Sequence, residues 1–99
     1  MGKTSQVIKD KMKDSQIFWD SLKKWGLDAQ LLMVIEEAAE VQHVITKRFR
    51  GDLNDDKLAE EIADLQFMLD EIVEVMGLEN MVNSWREIKK NRLKERLLI

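Results

Sequence analysis

Three glycines, Gly26, Gly51 and Gly77, punctuate a 99-residue chain that contains no proline. Proline breaks helix interiors and glycine commonly closes a helix end, so the stretches between these points are free to run as helices. Apolar residues recur within them at the three- and four-residue intervals of a single helix face, which leaves little room for strands. A first helix is expected to end near Lys24. Thr4 or Ser5 can cap its start, and Val7, Ile8, Met12, Ile17, Phe18, Trp19, Leu22 and Trp25 are its apolar positions. That pattern is loose before Ser15, so the first ten residues are expected to fray or to pack on a partner subunit.

Asp28 is expected to cap a second helix over residues 29–49. Its broad apolar face is Leu31, Val34, Ile35, Ala38, Val41, Ile45 and Phe49. Glu36, Glu37, Glu40 and Lys47 fall on an adjoining arc with Met33 and Val44 among them, which puts the acids at the border of the core. Asn54 suits the cap of a third helix over residues 55–76, with Asp55 and Asp56 at the positive end of its dipole. Leu58, Ile62, Leu65, Leu69, Ile72, Val73 and Met76 form its main face, and Glu61 and Asp64 lie beside that face. Phe67 falls off the stripe and points to a second buried surface, most simply a subunit interface. A fourth helix over residues 79–98 carries Met81, Val82, Trp85, Ile88, Leu93 and Leu97 on one side. The expected fold class is all-α, a four-helix bundle made by one domain over residues 1–99. Apolar positions spill past one face, so assembly as a dimer or a dimer of dimers is expected.

Composition narrows the function classes. The chain has no cysteine, so disulfides and thiolate metal sites are excluded and a reducing, cytoplasmic setting is the expectation. The start is polar and lysine-rich, unlike a signal peptide, and no apolar run is long enough to span a membrane. The net charge of −3 is unevenly spread: residues 1–30 carry +2, residues 31–80 carry −9 and residues 81–99 carry +4. An acidic middle with basic flanks suits a metal site that must also hold a polyanion. It equally suits basic ends that pair with the acidic middle on folding.

The acids themselves carry the chemistry. Residues three apart are neighbours on a helix surface, so Glu37 and Glu40 point one way, as do Glu61 and Asp64. If the two helices pair as an antiparallel hairpin, four carboxylates converge, and they cannot all stay ionised half-buried unless a cation joins them. An all-oxygen donor set without His or Cys favours magnesium, with manganese as a substitute. Such an ion keeps several waters, shares phosphate oxygens and can activate a water for in-line attack. Acid pairs at this spacing also occur as plain solvated surface in charge-rich helices.

The pattern Glu36-Glu37-x-x-Glu40, twenty intervening residues, then Glu61-x-x-Asp64 resembles the signature of the MazG-like all-α nucleoside triphosphate pyrophosphohydrolases. The surrounding residues are similar too: Trp25-Gly26, Gln30, Ile35-Glu36-Glu37, Ala39-Glu40, Lys47-x-x-Arg50-Gly51 and Glu60-Glu61-Ile62-Ala63-Asp64. The likeness runs from about Trp25 to Gly77. It implies hydrolysis of a (deoxy)nucleoside triphosphate between the α and β phosphates, giving monophosphate and pyrophosphate, in control of the nucleotide pool. It further implies Glu37, Glu40, Glu61 and Asp64 as magnesium ligands, with Glu36 in an accessory catalytic role. Four carboxylates and a triphosphate would crowd about eight negative charges, which only divalent cations and basic side chains can reconcile. Lys47 and Arg50 are candidates for phosphate contact, as are Lys90 and Arg92 from the last helix, of this chain or of a neighbouring subunit. Gln30 and Trp25 are candidates for the base, although a Trp among apolar neighbours also reads as core.

Three other readings stand beside this one. Glu40-x-x-His43 has the spacing of a di-iron ligand pair, but that site needs a second such pair and the chain has one histidine. A non-catalytic helical oligomerisation or interaction module would use the acids only for solvation. Nucleic-acid binding through the basic fourth helix ranks below both, because the overall balance is acidic.

Overall fold

A computed structural model describes the chain over residues 3–98, with side chains from Asp14 onward. Four helices follow in order: α1 (Lys3–Trp25), α2 (Leu27–Thr46), α3 (Asp55–Val75) and α4 (Glu79–Leu97). A 3-10 turn, Lys47–Arg50, closes α2, and no strand occurs among the described residues. The fold is the expected all-α bundle of four helices. Thr4 and Ser5 fall inside α1, and their side chains, with those of Val7, Ile8 and Met12, lie outside the described residues.

The joints differ in detail from expectation. Asp28 does not cap α2. The helix starts one residue earlier, at Leu27, with Gly26 as its cap and Asp28 in the first turn, where its charge suits the helix dipole. Gly26 adopts φ 85° and ψ 163°, a conformation that a side chain would oppose. Its N–H donates to Leu22 at 2.8 Å while its carbonyl accepts from Gln30 at 3.2 Å. One residue thus closes α1 and opens α2. Asn54 caps α3 as its side chain predicts, accepting from the Lys57 N–H at 3.0 Å.

The principal packing is α2 against α3, joined by a short loop and running antiparallel. Gln30, Val34, Glu37, Val41 and Val44 face α3, and Leu58, Glu61, Leu65, Met68, Ile72 and Val75 face α2; all are buried or half-buried. Both sets alternate three- and four-residue steps, the spacing of a knobs-into-holes seam. The expected α2 face is corrected here. Leu31, Ile35, Ile45 and Phe49 are exposed, Phe49 at 85%, whereas Val44 is buried to 2%. The seam on α2 joins Val34 and Val41 of the expected face to Glu37 and Val44 of the adjoining arc, while Met33, Glu36 and Glu40 of that arc stay exposed.

Helix α1 lies across α3 and, less closely, α2. Phe18 is buried against Phe67 with ring centroids 5.0 Å apart at 60°, and Ser15 Oγ donates to Glu74 Oε2 at 2.6 Å. Phe67 therefore finds an aromatic partner within the chain while 41% of it stays exposed. It reaches off the main stripe because α1 covers that side of α3. Among the described residues helix α4 packs on α3 and on no other helix, and Met81, Trp85, Ile88, Leu93 and Leu97 are exposed.

The single chain consequently has a thin core: Phe18, Val44 and Ile72 are its buried apolar side chains among the described residues. Its radius of gyration is 17.4 Å, against about 13 Å for a compact domain of this length. Its accessible surface is 8301 Å², against about 5,800 Å² for a typical monomer of its mass. Among the described residues no helix is long and apolar enough to cross a membrane.

Candidate functional site

Helix pairing brings one group of acids together. One carboxylate oxygen each from Glu37 on α2 and from Glu61 and Asp64 on α3 lie within 4.8 Å of one another. Glu61 is buried, Glu37 half-buried and Asp64 exposed, so the group opens from the seam toward solvent. The Glu37 carboxyl is raised above its ordinary pKa, first by burial and then by the negative charges of Asp64, Glu61, Glu40 and Glu36. Repulsion here comes from both helices. The fold holds these acids together although it would be electrostatically easier to keep them apart.

Part of the charge is already answered. Lys57, one turn before Glu61 on α3, places its ammonium 2.8 Å from Glu61 Oε1 and 3.4 Å from Glu60 Oε1. The hydrogen bond to Glu61, followed by the charge of Glu60, raises the Lys57 pKa. A single lysine cannot neutralise Glu37 and Asp64 as well. An octahedral magnesium ion with oxygens at about 2.1 Å spaces its ligands about 3 to 4.2 Å apart. Three oxygens within 4.8 Å can reach that geometry by small side-chain rotations, with water completing the shell. The donor set thus fits a hard divalent ion.

The other sequence-derived candidates spread along the pair. Glu40 is exposed, one turn beyond Glu37, close enough to raise the Glu37 pKa but outside the group of three. Glu36 is exposed. Lys47 is half-buried at the head of the 3-10 turn, and Arg50 ends that turn exposed. Lys90 and Arg92 are exposed on α4, which among the described residues makes no packing contact with α2, and Lys90 pairs with Glu87 at 2.9 Å. His43 and Glu40 are both exposed on α2.

A second feature lies two turns along the same seam. Gln30 and Glu71 are both buried, Glu71 to 2% exposure. With the amide nitrogen of Gln30 turned toward the carboxylate, it donates to both oxygens of Glu71. Burial alone raises the Glu71 pKa. These two residues form the polar floor of a cavity of about 300 Å³, walled by Trp25 and Ser21 of α1, Ala29 and Met33 of α2, and Phe67 and Met68 of α3. Lys24 sits over Trp25 with its ammonium 4.9 Å from the ring. Gln30 and Trp25 therefore share one cavity, and Glu71 is the residue that sequence reasoning missed. Its signal was present: it lies seven residues beyond Asp64, an acid on the flank of an apolar stripe. Lys57 was missed too, four residues before Glu61, at the spacing of a helical ion pair.

Comparison of the chain with protein-family models, curated proteins and solved structures finds no match.

Proposed function

We propose that this chain is a magnesium-dependent nucleoside triphosphate pyrophosphohydrolase of the MazG-like kind. The observation that carries the reading is the convergence of Glu37, Glu61 and Asp64 from two helices onto one point. The motif spacing described above is its second support. In this reading Glu37, Glu61 and Asp64 hold the ion, Glu40 joins through water or after a rotamer change, and manganese can substitute. Bound there, magnesium neutralises the triphosphate and lowers the pKa of the attacking water. Water adds to the α phosphorus, the bond from that phosphorus to the bridging oxygen breaks, and pyrophosphate leaves. Glu36 serves as an accessory acceptor for the proton of that water. Lys47 and Arg50 steady the phosphates at the end of α2, and Lys57 is free to exchange its carboxylate for phosphate once the ion is bound.

The working form in this proposal is a homodimer or a homotetramer built from dimers. The exposed rows Leu31, Ile35, Ile45 on α2 and Ile62, Leu69, Met76 on α3 support it, as does the surface in excess of a compact monomer. A standard interface buries roughly 1,600 Å², which these rows and the apolar side of α4 can supply. Lys90 and Arg92 would then meet phosphate in a neighbouring subunit. The protein would act in the cytoplasm on the nucleotide pool, with neither membrane nor nucleic acid as a partner.

A second reading has an observation of its own. The apolar outer faces and the Lys57–Glu61 pair also suit a non-catalytic oligomerisation module whose acids only solvate it. A panel of canonical and modified (d)NTPs, assayed for pyrophosphate with and without magnesium, separates the two. Release of pyrophosphate from some member, dependent on the metal, is the expected result. No turnover together with no metal-linked rise in melting temperature leaves the module.

A further inference from the structure

We propose that the cavity over Gln30 and Glu71 receives the base of the nucleotide, and that Glu71 selects guanine. The inference rests on the nucleotide reading above and names the base that the same site prefers.

Position supports it first. Gln30 precedes Glu37 by seven residues and Glu71 follows Asp64 by seven, so in an antiparallel pair the cavity floor and the acid cluster lie along one seam. Seven residues of helix span about 10.5 Å, the scale on which a ribose holds a base away from its phosphates. Size and lining come next. At about 300 Å³ the cavity is at the small end of ligand sites, suited to one planar ring system. Trp25 and Phe67 offer aromatic faces on which any base can stack.

The floor supplies the selection. A carboxylate buried to 2% with no ion pair to it among the described residues is costly, and packing does not need it there, since Met68 and Ile72 fill neighbouring seam positions without charge. The Gln30 amide nitrogen is engaged with Glu71, so the carboxylate offers the cavity only acceptor lone pairs. Guanine presents two adjacent donors, its ring N1–H and its 2-amino group, and can meet both oxygens at once. Adenine and cytosine set a ring acceptor beside their amino group and oppose one oxygen with a lone pair. Uracil and thymine flank a single N–H with two carbonyls. Two donors from guanine also restore the ionised form of Glu71, which burial by itself disfavours.

The test is binding of nucleoside monophosphates to the full chain with magnesium present, followed by NMR at the Trp25 indole and the Phe67 ring. GMP, IMP and AMP form the series, since IMP differs from GMP only in lacking the 2-amino group. GMP is expected to bind about tenfold or more tightly than IMP or AMP, with shifts at Trp25 and Phe67. Glu71→Gln, which sets an amide donor against a donor, is expected to level the three. Ala29→Phe fills the cavity while keeping Glu71, and is expected to lose GMP shifts but retain manganese broadening at Glu37 and Asp64. It serves if Glu71→Gln fails to fold. Equal binding of the three monophosphates, shifts confined to the acid cluster, or unchanged GMP binding in Ala29→Phe overturns the inference. Turnover of triphosphates without guanine preference sinks this inference alone. Guanine preference without turnover sinks the catalytic reading alone.

Discussion

The α2/α3 seam holds two buried glutamates, Glu61 and Glu71, about three turns apart, and they are stabilised in opposite ways. Glu61 lies among Glu37 and Asp64 and is answered by the Lys57 ammonium at 2.8 Å. Glu71 makes no ion pair among the described residues and is met by the amide of Gln30. At the first position acids outnumber cations, so a further positive charge is the natural ligand. At the second a lone carboxyl faces an apolar cavity, so neutral hydrogen-bond donors are the natural ligand. One helix pair therefore carries a charge-hungry end and a donor-hungry end, the polarity of a nucleotide bound along it.

The comparison breaks most visibly if the charge-hungry end is dismantled. Glu61→Gln, Glu37→Gln and Asp64→Asn are each expected to lower the rate of pyrophosphate release by roughly 10³-fold, the scale of losing one electrostatic element of an active site. Helical content by circular dichroism should persist. Glu40→Gln, outside the group of three, is expected to lose distinctly less. Full activity in Asp64→Asn would remove the cluster from the chemistry.

The division of the seam was only partly legible in the sequence. Helix number, the Asn54 cap and the approach of Glu37 to Glu61 and Asp64 follow from glycine punctuation and three- and four-residue spacing. Such spacing describes each helix alone, and a helix with apolar residues on two faces does not say which face meets its neighbour. On α2 the expected face runs from Leu31 to Phe49, and the chain keeps its Val34, Ala38 and Val41 half-buried, turns Leu31, Ile35, Ile45 and Phe49 outward, and buries Val44 instead. The Gln30–Glu71 pair shows the same limit from the other side. Gln30 is legible as a base-pocket candidate, but its pairing with Glu71 depends on the antiparallel register that sets 30 opposite 71. Phe67 found Phe18 by a similar route, through α1, whose angle across α3 no local pattern encodes.

A smaller effect separates the two ends by pH. Glu37 and Glu71 both have pKa values raised in the folded state, so the native chain binds more protons than the unfolded chain just above the usual carboxyl range. Their contributions are fully present below the unfolded value near 4.3 and are lost as pH rises through the folded values. Without metal, the native protein is expected to melt at a lower temperature at neutral pH than in the usual carboxyl range on their account. Glu37→Gln should flatten part of that slope and raise the metal-free melting temperature at pH 7, since it removes repulsion. Magnesium should flatten the Glu37 part and leave the Glu71 part in place, because only the first end binds the ion. A slope that magnesium abolishes entirely would merge the two ends into one site.

The smallest effect concerns Lys57, and it asks whether the ammonium supports the acid cluster or competes for it. Lys57→Met removes the partner of a buried carboxylate while keeping the aliphatic stem against the helix. Without metal, the variant should melt lower than the native chain, because Glu61 then lacks its only described cation. With magnesium the order should reverse for binding: the ion no longer displaces an ammonium, so its affinity should rise about two- to fivefold, the scale of a partly exposed ion pair. Calorimetric titration with magnesium reads this directly. Weaker magnesium binding in Lys57→Met would mean that the lysine orients Glu61 for the ion. The cluster would then be a preorganised site held by its lysine, and no longer one in which lysine and metal exclude each other.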